Sequence, residues 1–294
     1  MEHTPKDTTL TYANDAMLDI LTQEDTYLLD WIPFEELHWI GLCINPNAMH
    51  ILTSDKMSYT RDKIYVNRVV KLRRCCEKLD WQQLSRNPSA IPLLELKPHR
   101  IDWSCLSANP SAIHILEANP DKIDWKALSR NPNAMHMLEA NPTKINWNYL
   151  SKNPSAIHLL EANPTNIHWG SLSENPSAMH LLRAKLEEIP IPNNPLDNAI
   201  TNFQNRINFN NLSQNPSAVE FLEANPEKII WKFLSTNPSA IHLLEANLDK
   251  IDWCYLNKNP SAIHLLEANQ GKIINTSLLS ENPSIFDFNR IILK

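Results

Sequence analysis

Trp81, Trp103, Trp125, Trp147 and Trp169 recur at intervals of 22 residues. Trp231 and Trp253 keep the same interval, and Phe209 stands 22 residues before Trp231. A fixed period of this length is the signature of a repeat architecture, and no other feature constrains the 294-residue chain as strongly. One copy reads IDWKALSRNPNAMHMLEANPTK from Ile123 to Lys144, and NPSAIHLLEAN returns from Asn153 to Asn163 and from Asn259 to Asn269. Trp39 opens an earlier copy that runs through Asn45, Pro46, Ala48, Met49 and His50. Trp39 to Trp81 spans 42 residues and Trp169 to Phe209 spans 40, so degenerate copies are expected at about 59–80 and 187–204. In the second of these, Glu188 takes the Trp position and Asn194-Pro195 the Asn-Pro position. A last irregular copy, SLLSENPS, ends near Pro283, which makes about twelve units.

Each unit carries its own helix punctuation. Asp124 is placed to accept the free N–H groups of a short helix holding Trp125 and Leu128, and Asn131 to cap a second helix with Pro132 at its first position. That second helix is expected through Ala134, Met135, Met137 and Leu138 to Ala140, with Asn141-Pro142 ending it. Neither helix is long enough to persist alone in water, so each unit needs neighbours on both flanks. The expected fold class is all-α: an α-solenoid of about twelve 22-residue two-helix repeats with N- and C-terminal caps. Residues 1–36, with the amphipathic stretch Asp15 to Leu21, are the candidate N-terminal cap; 37–283 form the array and 284–294 the C-terminal cap. The recurring Trp is read as core that locks unit to unit.

Composition removes several function classes. The three glycines, Gly41, Gly170 and Gly271, stand alone, so no glycine-rich loop brings backbone N–H groups to a phosphate. No apolar run approaches the roughly 18 residues of a membrane span, and MEHTPKDTT is too polar for a secretory signal, so no membrane association is expected. The five cysteines, Cys43, Cys75, Cys76, Cys105 and Cys254, form no Cys-x-x-Cys pair, which points to a reducing, intracellular setting. Lys+Arg total 27 against 33 Asp+Glu, a formal charge of −6. Seven basic and two acidic residues between Arg61 and Lys78 give a local +5, leaving −11 for the rest, a poor surface for tracking nucleic acid.

The pair NPSAIHLLEANP and IDWxxLS closely resembles a family of tandem-repeat proteins encoded in many copies by giant DNA viruses of amoebae, over roughly Leu37 to Pro283. The resemblance implies a viral protein made in an infected host cell, acting in the host cytoplasm or carried in the virion. It implies no activity, ligand or catalytic residue. The departures at 59–80 and 187–204 interrupt a uniform superhelix at those two places.

Histidine recurs at one repeat position: His50, His114, His136, His158, His180, His242 and His264. Equivalent residues in adjacent units stand about 10 Å apart, too far to share one zinc, and Pro92 and Glu220 interrupt the series. The pattern also puts His away from the face shared by Ala, Ile and the second Leu, so a solvated or groove-lining role is expected. Neither Gly-x-Ser-x-Gly nor His-Glu-x-x-His occurs, and a ladder of equivalent sites is the wrong shape for one asymmetric catalytic centre. No catalytic residue, metal ligand or cofactor is assigned.

Two surfaces remain. Arg68, Lys71, Arg73, Arg74 and Lys78 form a candidate basic patch beside an apolar side of Val66, Val69, Val70, Leu72 and Leu79. Comparing the copies with one another, the residues that change most are the two after Trp and the one before Asn-Pro. Lys126, Asn148, Tyr149, Lys232, Phe233 and Tyr255 are the candidate protein-binding residues among them. A constant framework with a varied surface is how solenoids present binding faces, although drift at exposed positions yields the same pattern. The expected function is a non-enzymatic scaffold for protein–protein interaction, its unidentified partner supplied by the host. The alternatives are a nucleic-acid-binding helical repeat using segment 61–78 and a structural component of a viral particle.

Overall fold

A computed structural model describes residues 27–29, 32, 37–49, 52, 79–188, 206–273 and 276–287. The chain divides into two compact units: Met1–Asp102 together with Thr276–Lys294, and Trp103–Asn275. Both are helical repeats of the same local design.

The Trp125 copy illustrates that design. Asp124 accepts hydrogen bonds from the N–H groups of Lys126 and Ala127 at 3.0 and 3.1 Å, and a one-turn helix, Trp125–Leu128, follows. Asn131 Oδ1 then accepts from Asn133 N at 3.0 Å, as an N-cap should. The expected single second helix is split in two: a 3-10 turn over Pro132–Ala134, then an α-helix over Met135–Glu139. The proline ring and the Asn131 side chain tighten the first turn, and Ala134 at φ −96°, ψ 13° passes the chain into the α-helix. The connection to the next copy is also a 3-10 turn, Pro142–Lys144.

Leu128, Ala134 and Leu138 are completely buried, as are their counterparts Leu150, Ala156 and Leu160 one copy later. The tryptophans are not core. Trp125, Trp231 and Trp253 are half-buried, and a lysine 19 residues further on lies over each ring. Lys144 Nζ is 4.3 Å from the Trp125 ring centroid, Lys250 4.7 Å from that of Trp231 and Lys272 4.3 Å from that of Trp253. Each indole is thus partly exposed, and an ammonium lies over the ring.

Neighbouring copies are joined by buried polar groups. Asn153 Nδ2 donates to the carbonyls of Ser129 and Asn131, at 3.1 and 3.0 Å. Asn131 does the same to Ser107 and Asn109, and Asn175 to Ser151 and Asn153. Ser129 Oγ donates to the Trp125 carbonyl at 2.8 Å and accepts from Asn146 N at 2.9 Å, tying one copy to the start of the next. These asparagines and serines have no exposed surface, so the bonds replace water that cannot reach them.

The same bonds span both places where the interval between copies changes. Asn215 Nδ2 donates to the carbonyls of Ser173 and Asn175, and Asn208 N to Ser173 Oγ at 3.0 Å, so the Phe209 copy lies directly on the Trp169 copy. In the other unit Asn87 Nδ2 donates to the carbonyls of Cys43 and Asn45, joining the Trp81 copy directly to the Trp39 copy. Ten copies lie among the described residues. Glu188, expected at a Trp position, is instead the last residue of a ten-residue helix, Met179–Glu188, which continues because no Asn-Pro follows Ala184. Most of segments 59–80 and 187–204 lies outside the described residues.

The first and last copies meet. Asn45 Nδ2 donates to the carbonyls of Ser280 and Asn282 at 3.1 and 2.8 Å, and His38 N donates to Ser280 Oγ at 2.7 Å. Beside them β1, Tyr27–Leu28, pairs antiparallel with β2, Phe286–Asp287, with Tyr27 opposite Asp287 and Leu28 opposite Phe286. Most of the rest of the expected caps, including Asp15 to Leu21, lies outside the described residues. Among the described residues no helix is long and apolar enough to cross a membrane.

Candidate protein-binding surface

The two residues after each Trp sit on the first helix, ahead of a buried Leu; Asp124, Asn146 and Asp252 cap that helix with their side chains, whereas Ile230, before Lys232 and Phe233, does not. Across a junction, the first of the pair in one copy meets the second of the pair in the next. Lys126 Nζ lies 5.2 Å from the Tyr149 ring centroid, and Lys232 Nζ 4.7 Å from that of Tyr255. Asn148 Oδ1 accepts from Ser171 Oγ. At Gly170, which has no side chain to offer, Asn211 Nδ2 donates to the glycine carbonyl at 2.8 Å. Phe233 and Tyr255 stack edge to face, with centroids 5.8 Å apart and planes at 80°.

Of the six expected residues, Lys126, Asn148 and Lys232 are exposed, while Tyr149, Phe233 and Tyr255 are half-buried. The structure brings them together as two clusters in equivalent places, Lys126 with Tyr149, and Lys232 with Phe233 and Tyr255. The position before Asn-Pro also pairs across a junction, where Lys152 Nζ meets Glu174 Oε2 at 2.6 Å. The basic patch of Arg68, Lys71, Arg73, Arg74 and Lys78 lies outside the described residues.

The histidines form a second row. Five of them bind the glutamate 19 residues before, in the preceding copy, four as His136 Nε2 to Glu117 Oε1 at 2.8 Å, His158 to Glu139 at 2.8 Å, His180 to Glu161 at 2.9 Å and His264 to Glu245 at 2.9 Å. His242 and Glu223 do likewise. Where the interval between copies changes, both partners change. Arg183 replaces the glutamate and Glu220 the histidine, and Arg183 Nη2 meets Glu220 Oε2 at 2.7 Å. The substitution that interrupts the histidine series in sequence is thus half of an inverted charge pair. Among the described residues no group of three or more His, Cys, Asp or Glu is placed to hold a metal ion.

Among the described residues, Asp124 and Cys43 have pKa values moved from their ordinary ones. Burial pushes the Asp124 carboxyl up, but hydrogen bonds from Ser104 Oγ and from the N–H groups of Ala127 and Lys126, with the Lys126 charge, outweigh it and hold the pKa below the usual value. Cys43 stands where the other described copies have serine, or asparagine at Asn257. Burial raises its thiol pKa, the Asp80 N–H opposes this and the Asp80 charge adds to it, so the net shift is upward and the thiol stays protonated at neutral pH.

No family model matches the chain, and no curated protein or solved structure matches it either.

Sequence comparison of one copy with the next at the same position missed the pairing within these rows. The signal lies in offset comparisons: the residue after Trp against the one two after the next Trp, and His against the Glu 19 residues before it.

Proposed function

We propose that the chain is a non-enzymatic α-solenoid scaffold that binds another protein along the row formed by the two residues after each Trp. One observation carries this reading. In the Trp103–Asn275 unit the cap, core and junction positions keep nearly the same residue types, while this row changes its chemistry from copy to copy. Lys126 with Tyr149, and Lys232 with Phe233 and Tyr255, are large amphipathic side chains on a rigid framework, the type that anchors protein interfaces. The net charge of −6 favours a protein partner over nucleic acid. With the viral resemblance, the partner is a host protein met in the infected cell, in its cytoplasm or on entry with the virion.

The test is recovery of the tagged protein from its native cell with nuclease added to half of the lysate. A specific protein that survives nuclease, and is lost from a folded Tyr149→Ser, Phe233→Ser, Tyr255→Ser variant, is the expected result. Retention of every interaction by that variant moves the interface elsewhere. Loss of all partners on nuclease treatment supports the nucleic-acid reading and segment 61–78.

A further inference from the structure

The junction between the first and last copies reproduces the internal junctions bond for bond. Asn45 reaches the carbonyls of Ser280 and Asn282 as Asn153 reaches those of Ser129 and Asn131. His38 N donates to Ser280 Oγ as Asn146 N donates to Ser129 Oγ. Asn47 Nδ2 donates to the Pro283 carbonyl at 2.9 Å, as Asn133 Nδ2 does to that of Pro110. Leu42, Leu279 and Ile285 are buried at this end-to-end junction as their counterparts are elsewhere. Partners 235 to 242 residues apart in the chain therefore meet as consecutive copies do.

One feature belongs to this junction alone. The second position after Trp carries a side chain in every other described copy, from Ala127 to Tyr255, but is Gly41 in the first. A Cβ on Gly41 would stand 2.7 Å from the Ser277 carbonyl oxygen and 2.7 Å from Ser280 Cβ. Both neighbours belong to the last copy, so glycine is required by the contact itself and not by any turn within the first copy.

We propose that the two end faces of the repeat region are a matched pair of interaction surfaces. Within one chain they close on each other as a clasp keyed by Gly41. When the mate in the same chain is damaged, each face takes the opposite end of a second copy of this chain. Closure satisfies the buried Asn45, Ser280 and Asn282 and leaves neither end free for open-ended, head-to-tail association.

Two variants of the full chain test this, one on each face: Gly41→Leu and Ser280→Leu. Each keeps the face that the other has lost. Alone, each is expected to be monomeric and to lose amide-exchange protection by at least about tenfold at both 39–49 and 276–287, with 125–180 unchanged. Mixed, they are expected to form a 1:1 heterodimer through the intact last copy of Gly41→Leu and the intact first copy of Ser280→Leu, with protection regained at those two segments only. Size-exclusion chromatography with light scattering reads the mass. If each variant loses protection only in its own altered copy, the ends are not clasped in solution. If mixing yields neither heterodimer nor regained protection, the faces do not mate between chains, and the proposal fails.

Discussion

The junctions between copies share a buried column, most of those described add an exposed row of charge pairs, and the two use opposite physics. The column is Asn153 against Ser129 and Asn131, fully buried, each polar atom given a partner. The row is His158 against Glu139, about half exposed, two ends of which water also competes for. The column asparagine recurs at Asn87, Asn131, Asn175 and Asn237, whereas the row exchanges His and Glu for Glu and Arg at a single junction. The buried amide is hard to replace, because only a carboxamide offers an acceptor to its own turn and two donors to the preceding copy, and in Gln it would sit one methylene further out. An exposed charge pair needs only opposite signs. The difference separates what holds the copies in line from what marks their surface.

The comparison breaks most sharply at the column. Asn153→Ala removes the cap on Ser155 N, leaves the buried Ser129 carbonyl without a donor and leaves the Asn131 carbonyl only the Ala134 N–H, for an expected loss of about 2–3 kcal/mol in urea unfolding followed by circular dichroism. A loss below about 1 kcal/mol would mean that water replaces the amide and the column is not dry. Ser151→Ala is the intermediate case. It leaves His168 N without its acceptor and frees the Trp147 carbonyl of a second bond, for about 1–2 kcal/mol in the same measurement.

Asp124 sharpens the comparison through pH. Its pKa is lowered in the folded protein, so its contribution is present above the unfolded value of about 3.9 and is lost as pH falls through the folded value. The stability difference between the protein and Asp124→Asn should therefore hold at pH 6 and vanish in strongly acidic buffer. A difference that persisted there would assign the effect to shape rather than charge.

The row should give the smallest effects. His158→Ala is expected to change stability by no more than about 0.5 kcal/mol, and a cycle of Arg183→Ala with Glu220→Ala should give a coupling of about 0.2–1 kcal/mol that shrinks with added salt. A coupling that salt leaves unchanged would show the pair to be more sheltered than its exposure indicates.

How much of this was legible depends on the range of each interaction. The caps at Asp124 and Asn131 bond to N–H groups two or three residues away, so the residue pattern alone locates them. The buried Leu and Ala positions follow from the helical spacing within one copy. The Trp position was misjudged because its burial depends on how closely the copies approach and on a lysine 19 residues later, neither of which a helical period encodes. The expected binding residues are legible in the sequence as variable positions, but not that Tyr149, Phe233 and Tyr255 are half-buried or that Lys126 lies over Tyr149.

The sequence by itself determined the period, the two-part copy and its small aliphatic core, because turns and caps act within a few residues of chain. Only the tertiary structure decided which copies are neighbours. Asn215 reaches Asn175 over 40 residues and Asn45 reaches Asn282 over 237, through the same amide that Asn153 uses over 22. Those bonds depend on which faces come to lie together, and identical faces give the sequence no means of telling one partner from another.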